Sequence, residues 1–303
     1  MSHTTVTSVP VSFDDAGHGD PALVYLTGWC STRTSYAAMV EHTARRYRSI
    51  AIDWRGHGTS PAAESDFGWP QMADDVLAVL DGCGVDRFVP VTNAHAGWVA
   101  RDLAARVPDR VAGVVLLDWL VLGAPPAFTA GLAALANPAT TRQAADGLTA
   151  TWLDGHDGVP GLAGQITAMR RQSDEMWARA GREITAAYAA DPSPLHAFAA
   201  LAATPPVRHL YAEPKDPAFL AGQQEFARIN PWFTVRRLDT AYTHFPMLEQ
   251  PVELAADVIR FAGLRAPELS RHELPLAVRG GGQRHERPVA YGQACRFLTG
   301  YGR

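Results

Sequence analysis

The run Phe88-Val89-Pro90-Val91-Thr92-Asn93-Ala94-His95-Ala96-Gly97-Trp98-Val99 decides the fold. Phe88 to Thr92 is apolar and reads as a buried strand, and Trp98 to Arg106 has helical spacing, so a strand enters a helix through a very short turn. A turn of this kind, a nucleophile elbow, needs small residues two before and two after its central position, because strand and helix approach closely there. Thr92 and Ala96 meet that need around Ala94. Where a serine, cysteine or aspartate would attack, Ala94 offers a methyl group with neither lone pair nor acidic proton, so no covalent intermediate can form. His95 follows, and its backbone N–H is available to an anionic oxygen whatever its side chain does.

Outward from the elbow, Ala22 to Thr27 (ALVYLT), Ser49 to Asp53 (SIAID) and Gly113 to Asp118 (GVVLLD) read as further strands. They are almost uniformly apolar, as a parallel sheet covered on both faces requires. Helical patterns at Arg33 to Arg46 and Pro70 to Leu80 separate them, which predicts a doubly wound, mostly parallel α/β sheet. After Trp119 the rhythm breaks: Pro125 to Leu201 is helical or irregular, punctuated at Asn137-Pro138, Val159-Pro160 and Asp191-Pro192. Strands resume at Val207 to Ala212 and Phe233 to Leu238, and a helix over Pro251 to Ala262 completes the pattern. Elbow and alternation together predict an α/β-hydrolase fold, with core segments 1–124 and 205–264 and a helical lid, 125–204, inserted after the sixth strand. Such a lid covers the carboxyl ends of the strands, where open α/β sheets bind ligands. Residues 265–303, with Gly280-Gly281-Gly282 and weak periodicity, read as a poorly ordered tail with room for a short helix near Gln293 to Leu298.

Composition narrows the function classes. The chain has 303 residues, 47% of them hydrophobic and 19% charged, which suits one large α/β domain with a sizeable core. A formal charge of -4 points away from nucleic acid and from anionic membranes as partners. No stretch approaches the roughly 18 apolar residues of a membrane span, and Met1 to Pro10 lacks the pattern of a signal peptide. Cys30, Cys83 and Cys295 are odd in number and include no CxxC pair, so the sequence predicts no disulfide framework, no structural zinc and a reducing, cytoplasmic setting. Nothing in the sequence sets an oligomeric state.

Three further segments fall at strand ends. Thr27-Gly28-Trp29-Cys30 forms a turn from which a backbone N–H reaches an oxyanion hole. The loop Asp53 to Ser60 (DWRGHGTS) reads as structural, His57 included. Thr243-His244-Phe245-Pro246 lies after the last strand, the place of the general base in this fold. Two aspartates compete to orient His244. Asp118 ends a strand in an apolar setting, LLDWL, where a buried carboxylate needs a partner. Asp216 lies in a solvated turn with its own counter-charge, Lys215, at the position more often used in this fold. Spacing favours Asp118 and leaves both open.

The runs LTGWC, DWRGHGTSP, DFGW, HAGWV, LLDWL, TWLDGHD, NPWF and THFP together resemble the cofactor-independent 3-hydroxy-4-quinolone 2,4-dioxygenases, over Ala22 to Leu264. The resemblance implies an enzyme that splits a small aromatic N-heterocycle with O2 as co-substrate, using neither metal nor flavin, and releases carbon monoxide. It implies that His244 removes the substrate's 3-hydroxyl proton, that Asp118 orients His244, that Trp29 and His95 supply backbone donors, and that Trp152 lines the substrate cavity. Three residues depart from the family pattern: Ala94 where a serine is usual, Ser31 where a histidine tends to follow the GWC run, and Asn93 where a histidine can occur. All three border the substrate, so the ring system is left open. Two other readings fit the same residues: non-oxidative lyase, decarboxylase or cyclase chemistry on the His–Asp dyad, and a non-catalytic binding protein.

Overall fold

A computed structural model describes residues 11–63 and 65–265 of the protein. The expectations for Met1 to Pro10, for Cys295 and for the tail beyond Arg265 lie outside the described residues. In chain order the elements are β1 (Phe13–Ala16), β2 (Ala22–Leu26), α1 (Ala37–Thr43), β3 (Ser49–Ile52), α2 (Trp69–Gly82), β4 (Phe88–Asn93), α3 (Gly97–Arg106) and β5 (Val114–Leu117). Five helices follow, α4 (Pro126–Ala136), α5 (Thr141–Leu153), α6 (Leu162–Arg170), α7 (Asp174–Ala190) and α8 (Pro194–Ala199). The chain then returns through β6 (Val207–Tyr211), α9 (Pro217–Ile229), β7 (Phe233–Arg237), α10 (Pro246–Glu249) and α11 (Pro251–Gly263).

The seven strands form one sheet in the order β1-β3-β2-β4-β5-β6-β7, parallel except for β1, which runs antiparallel to β3. Every residue of β2, β3, β4 and β5 is buried, because helices cover both faces of the sheet there. The strand before the helical insertion is the sixth in the usual count of this fold and the fifth of the seven seen here. Sequence periodicity did not show β1, whose four residues FDDA carry little hydrophobic signal, nor α9, although Asp216-Pro217 is a recognisable helix start.

The topology places the site. From β2 the chain winds to β3 on one side and then returns to β4 on the other, so the strand order reverses between β2 and β4. At such a switch point the loops leaving the carboxyl ends part and leave a crevice. Leu26 of β2 pairs with Thr92 of β4, which sets the turn at Gly28-Trp29 beside the elbow at Ala94-His95. Helices α4 to α7 close the crevice from above. A side chain at Gly181 of α7 would meet Ala136 N of α4 at 2.7 Å, so only glycine lets these two lid helices touch. No helix among the described residues is long and apolar enough to cross a membrane.

Candidate active site

The elbow keeps its conformation without its nucleophile. Ala94 has φ +50°, a left-handed backbone that costs a non-glycine residue about 1–2 kcal/mol. A single turn over Ala94–Ala96 leads straight into α3. The close approach expected at Ala96 extends one residue further, since a Cβ on Gly97 would lie 2.2 Å from the buried Trp119 ring. Asn93, the last residue of β4, donates its amide to the carbonyls of Leu117 (3.4 Å) and His244 (3.3 Å), linking the elbow to both neighbouring loops.

Asp118 follows β5 with φ +50°, and its side chain is 1% exposed. Its Oδ1 accepts the backbone N–H groups of Ala212 (2.7 Å) and Glu213 (2.8 Å), both just beyond β6. Its Oδ2 lies 2.7 Å from His244 Nδ1. Three donors thus satisfy a carboxylate that would be costly to bury alone. With a carboxylate at Nδ1, that nitrogen carries the imidazole proton, which leaves the Nε2 lone pair for chemistry. Asp216 does not reach the site: its carboxylate caps α9 by accepting Ala218 N–H at 2.8 Å. Trp152, from the lid helix α5, lies flat on the His244 ring, with centroids 5.1 Å apart and planes 13° from parallel.

Histidine 57 has no access to this centre. It is fully buried; its Nε2 accepts the Cys30 N–H (3.0 Å) and its Nδ1 donates to Arg55 O (3.0 Å). Burial pushes it down to about 4, so it stays neutral and holds the turn after Trp29. The His95 side chain is also neutral, pushed down to about 3 by burial and by the neighbouring His244. Its Nδ1 accepts the Trp119 indole N–H at 3.2 Å, and its ring stacks on Phe128 of α4.

Trp29, Ser31, Asn93, Ala94, His95, Asp118, Trp152 and His244 line one cavity of about 670 Å³. Its floor is the strand ends, and its roof is apolar side chains of α4 to α7, among them Leu132, Leu148, Met169 and Ile184. Two polar groups escaped sequence reasoning. Gln165 of α6 donates to Ser31 Oγ at 2.5 Å, with both residues buried. Glu213 lines the cavity, and burial together with the nearby Asp118 charge holds its carboxyl above the usual range. Neither sits in a motif, and only the lone polar residue among the buried positions of α6 could have drawn attention to Gln165. Among the described residues no group of three or more His, Cys, Asp or Glu side chains could hold a metal ion.

Comparison with known proteins places this arrangement. The α/β-hydrolase fold family matches residues 21–190. A 2-heptyl-3-hydroxy-4(1H)-quinolone dioxygenase of Mycobacteroides abscessus is 37% identical, over 84% of this chain and 95% of its own. The 1H-3-hydroxy-4-oxoquinoline 2,4-dioxygenase of Pseudomonas putida is 31% identical, over 86% and 99%. Among solved structures, a variant of AqdC in complex with its substrate, from work on ring cleavage of the Pseudomonas quinolone signal, superposes with a TM-score of 0.79 at 36% identity, covering 86% of this chain and 97% of that one. With that fold, that identity and that coverage, the chain belongs to the 3-hydroxy-4-quinolone dioxygenases of the α/β-hydrolase fold.

Proposed function

We propose that the protein cleaves the heterocycle of a 2-alkyl-3-hydroxy-4-quinolone with O2, releasing carbon monoxide, and that His244 is the base and Asp118 its orienting partner. The observation that carries this reading is a hydrogen-bonded His–Asp pair in an apolar cavity whose elbow has no nucleophile. Relatives named as quinolone dioxygenases support it. His244 Nε2 takes the proton of the 3-hydroxyl, and the imidazolium that forms is stabilised by Asp118. The anion's charge spreads over the neighbouring oxygens, where the backbone N–H groups of Trp29 and His95 are suited to meet it; that of Trp29 has no acceptor among the described residues.

The electron-rich anion reduces O2 by one electron without help, so the proposed chemistry calls for neither metal nor flavin. The oxygen atoms then bond to C2 and C4, and the C2–C3 and C3–C4 bonds break. C3 leaves as carbon monoxide with its own oxygen, and both atoms of O2 stay in the product as an amide carbonyl and a carboxylate. The proton on His244 passes to solvent as the carboxylate leaves. Apolar lid residues supply the dry surroundings that favour reaction with O2 over side reactions, and they suit an alkyl substituent beside the ring. Asn93, Ala94 and Trp152 complete the proposed substrate contacts. A cytoplasmic location is part of the proposal and rests on cysteine usage.

The test follows 2-heptyl-3-hydroxy-4(1H)-quinolone by its ultraviolet band, and carbon monoxide in parallel, in aerated and in oxygen-free buffer with and without a chelator. Oxygen-dependent turnover that survives the chelator and disappears in His244→Ala is expected. Turnover without oxygen would replace this reading by non-oxidative proton transfer, and tight binding without turnover by a binding protein.

A further inference from the structure

We propose that Ser31, oriented by Gln165, donates a hydrogen bond to the exocyclic oxygens of the bound substrate, a hydroxyl contact that Ala94 at the elbow cannot make. The proposal rests on the quinolone dioxygenase reading. A serine hydroxyl has one proton and two lone pairs. One lone pair of Ser31 Oγ is taken by the Gln165 amide at 2.5 Å. No acceptor for the Ser31 proton is found among the described residues, and Ser31 lines the same cavity as Trp29, Ala94 and His244. The hydroxyl proton is therefore free to serve a ligand in the cavity.

Both partners are held in place. Ser31 is 2% exposed and follows Cys30, whose N–H is fixed by His57. Gln165 is 5% exposed, and its neighbours on the buried face of α6 are Leu162, Ile166 and Met169. An amide in such surroundings costs stability unless it is bonded, and packing alone is better served by an apolar side chain. Its bond to Ser31 crosses from the lid to the turn that carries Trp29. A lid closed over substrate thus aims the hydroxyl, and charge on the substrate oxygens strengthens the bond that the hydroxyl makes.

The experiment titrates 2-heptyl-3-hydroxy-4(1H)-quinolone bound to the full chain in oxygen-free buffer, reading the anion by its absorbance so that no turnover is needed. A hydrogen bond to a charged group is worth enough to change its stability at least tenfold. In Ser31→Ala the midpoint for ionising the bound 3-hydroxyl is expected to rise by about one pH unit, the equivalent of roughly a tenfold loss of anion. Ser31→Thr, which keeps a hydroxyl, restores the wild-type midpoint. Gln165→Met raises it partway, and has no effect when Ser31 is already alanine. Thermal melting of each variant reports the packing role separately. A wild-type midpoint in Ser31→Ala, with only melting affected, would overturn the proposal and leave the pair as a lid contact. Wild-type protein that binds no quinolone overturns the dioxygenase reading itself, and with it the ligand assigned to Ser31.

Discussion

Replacing Asp118 by asparagine removes a charge and, in this site, also dictates the protonation of His244. Asp118 Oδ1 is fixed by two backbone donors, Ala212 N–H and Glu213 N–H. An asparagine must turn its single carbonyl oxygen toward them, because the reverse orientation would set its NH2 against two N–H groups. The NH2 then faces His244 Nδ1, where the carboxylate oxygen sat at 2.7 Å. It donates, Nδ1 becomes the acceptor, and the imidazole proton moves to Nε2. The nitrogen facing the cavity thereby loses the lone pair that takes the substrate proton in the proposed mechanism. The imidazolium loses its counter-ion as well. Two unit charges about 4 Å apart at an effective dielectric of about 20 attract by about 4 kcal/mol, and each 1.36 kcal/mol is tenfold in rate. With Asp118 1% and His244 24% exposed, solvent screens the pair only on one side. The expected loss in kcat is therefore on the order of a thousandfold, with little change in quinolone affinity, since Asp118 bonds His244 and lies away from the apolar roof. Single-turnover decay of the bound substrate after addition of oxygen measures it. An Asp118→Asn enzyme that folds normally and turns over within tenfold of wild type would refute the reasoning about both tautomer and charge.

Three other outcomes are expected. Trp152→Leu removes the ring stacked on His244 while keeping apolar bulk, and is expected to lower kcat about threefold to tenfold, the equivalent of a lost aromatic pair, with Trp152→Phe close to wild type. Gly97→Ala forces a Cβ to within 2.2 Å of the buried Trp119 ring, and overpacking of about 1–3 kcal/mol is expected to lower the melting temperature by a few degrees or more. Stability is also expected to fall on acidification. His57 and His209 are held down to about 4 and His95 to about 3, all by burial, against an ordinary value near 6.5. Between those values the unfolded chain binds protons that the folded chain refuses, so stability present above about pH 6.5 is lost as pH drops toward 4. Melting curves from pH 7 to 4 check this, and a flat profile would show that the three imidazoles are not buried neutral.

Much of the site was readable because its parts are local. The elbow is a short-range pattern of small residues on a strand–helix turn, so the absence of a nucleophile at Ala94 could be seen in one run of letters. Strands β2 to β7 and helices α1, α2, α3 and α11 followed from apolar runs and helical spacing, which burial on both sheet faces imposes, whereas α9 did not. The parts that escaped depend on contacts between distant segments. Gln165 meets Ser31 across 134 positions because a lid helix is laid over the turn after β2, and no pattern within α6 encodes that partner. The short antiparallel strand β1 exists through its register with β3 and not through its own four residues.

The aspartate question divides in the same way. Composition around Asp118 and Asp216 favoured the first and left the second standing, because sequence spacing carries no direction for a side chain. The left-handed backbone at Asp118, together with the parallel pairing of β5 and β6, points one carboxylate at His244 across 126 positions and secures it with two backbone donors. Asp216 is spent on capping α9. From sequence alone came the sheet, the helical stretch between β5 and β6, His244 after the last strand and the missing nucleophile, since each is written in local periodicity or turn chemistry. The tertiary structure decided which groups face one another in the cavity, because only the packing of lid on sheet brings residues so far apart in the chain within hydrogen-bonding distance.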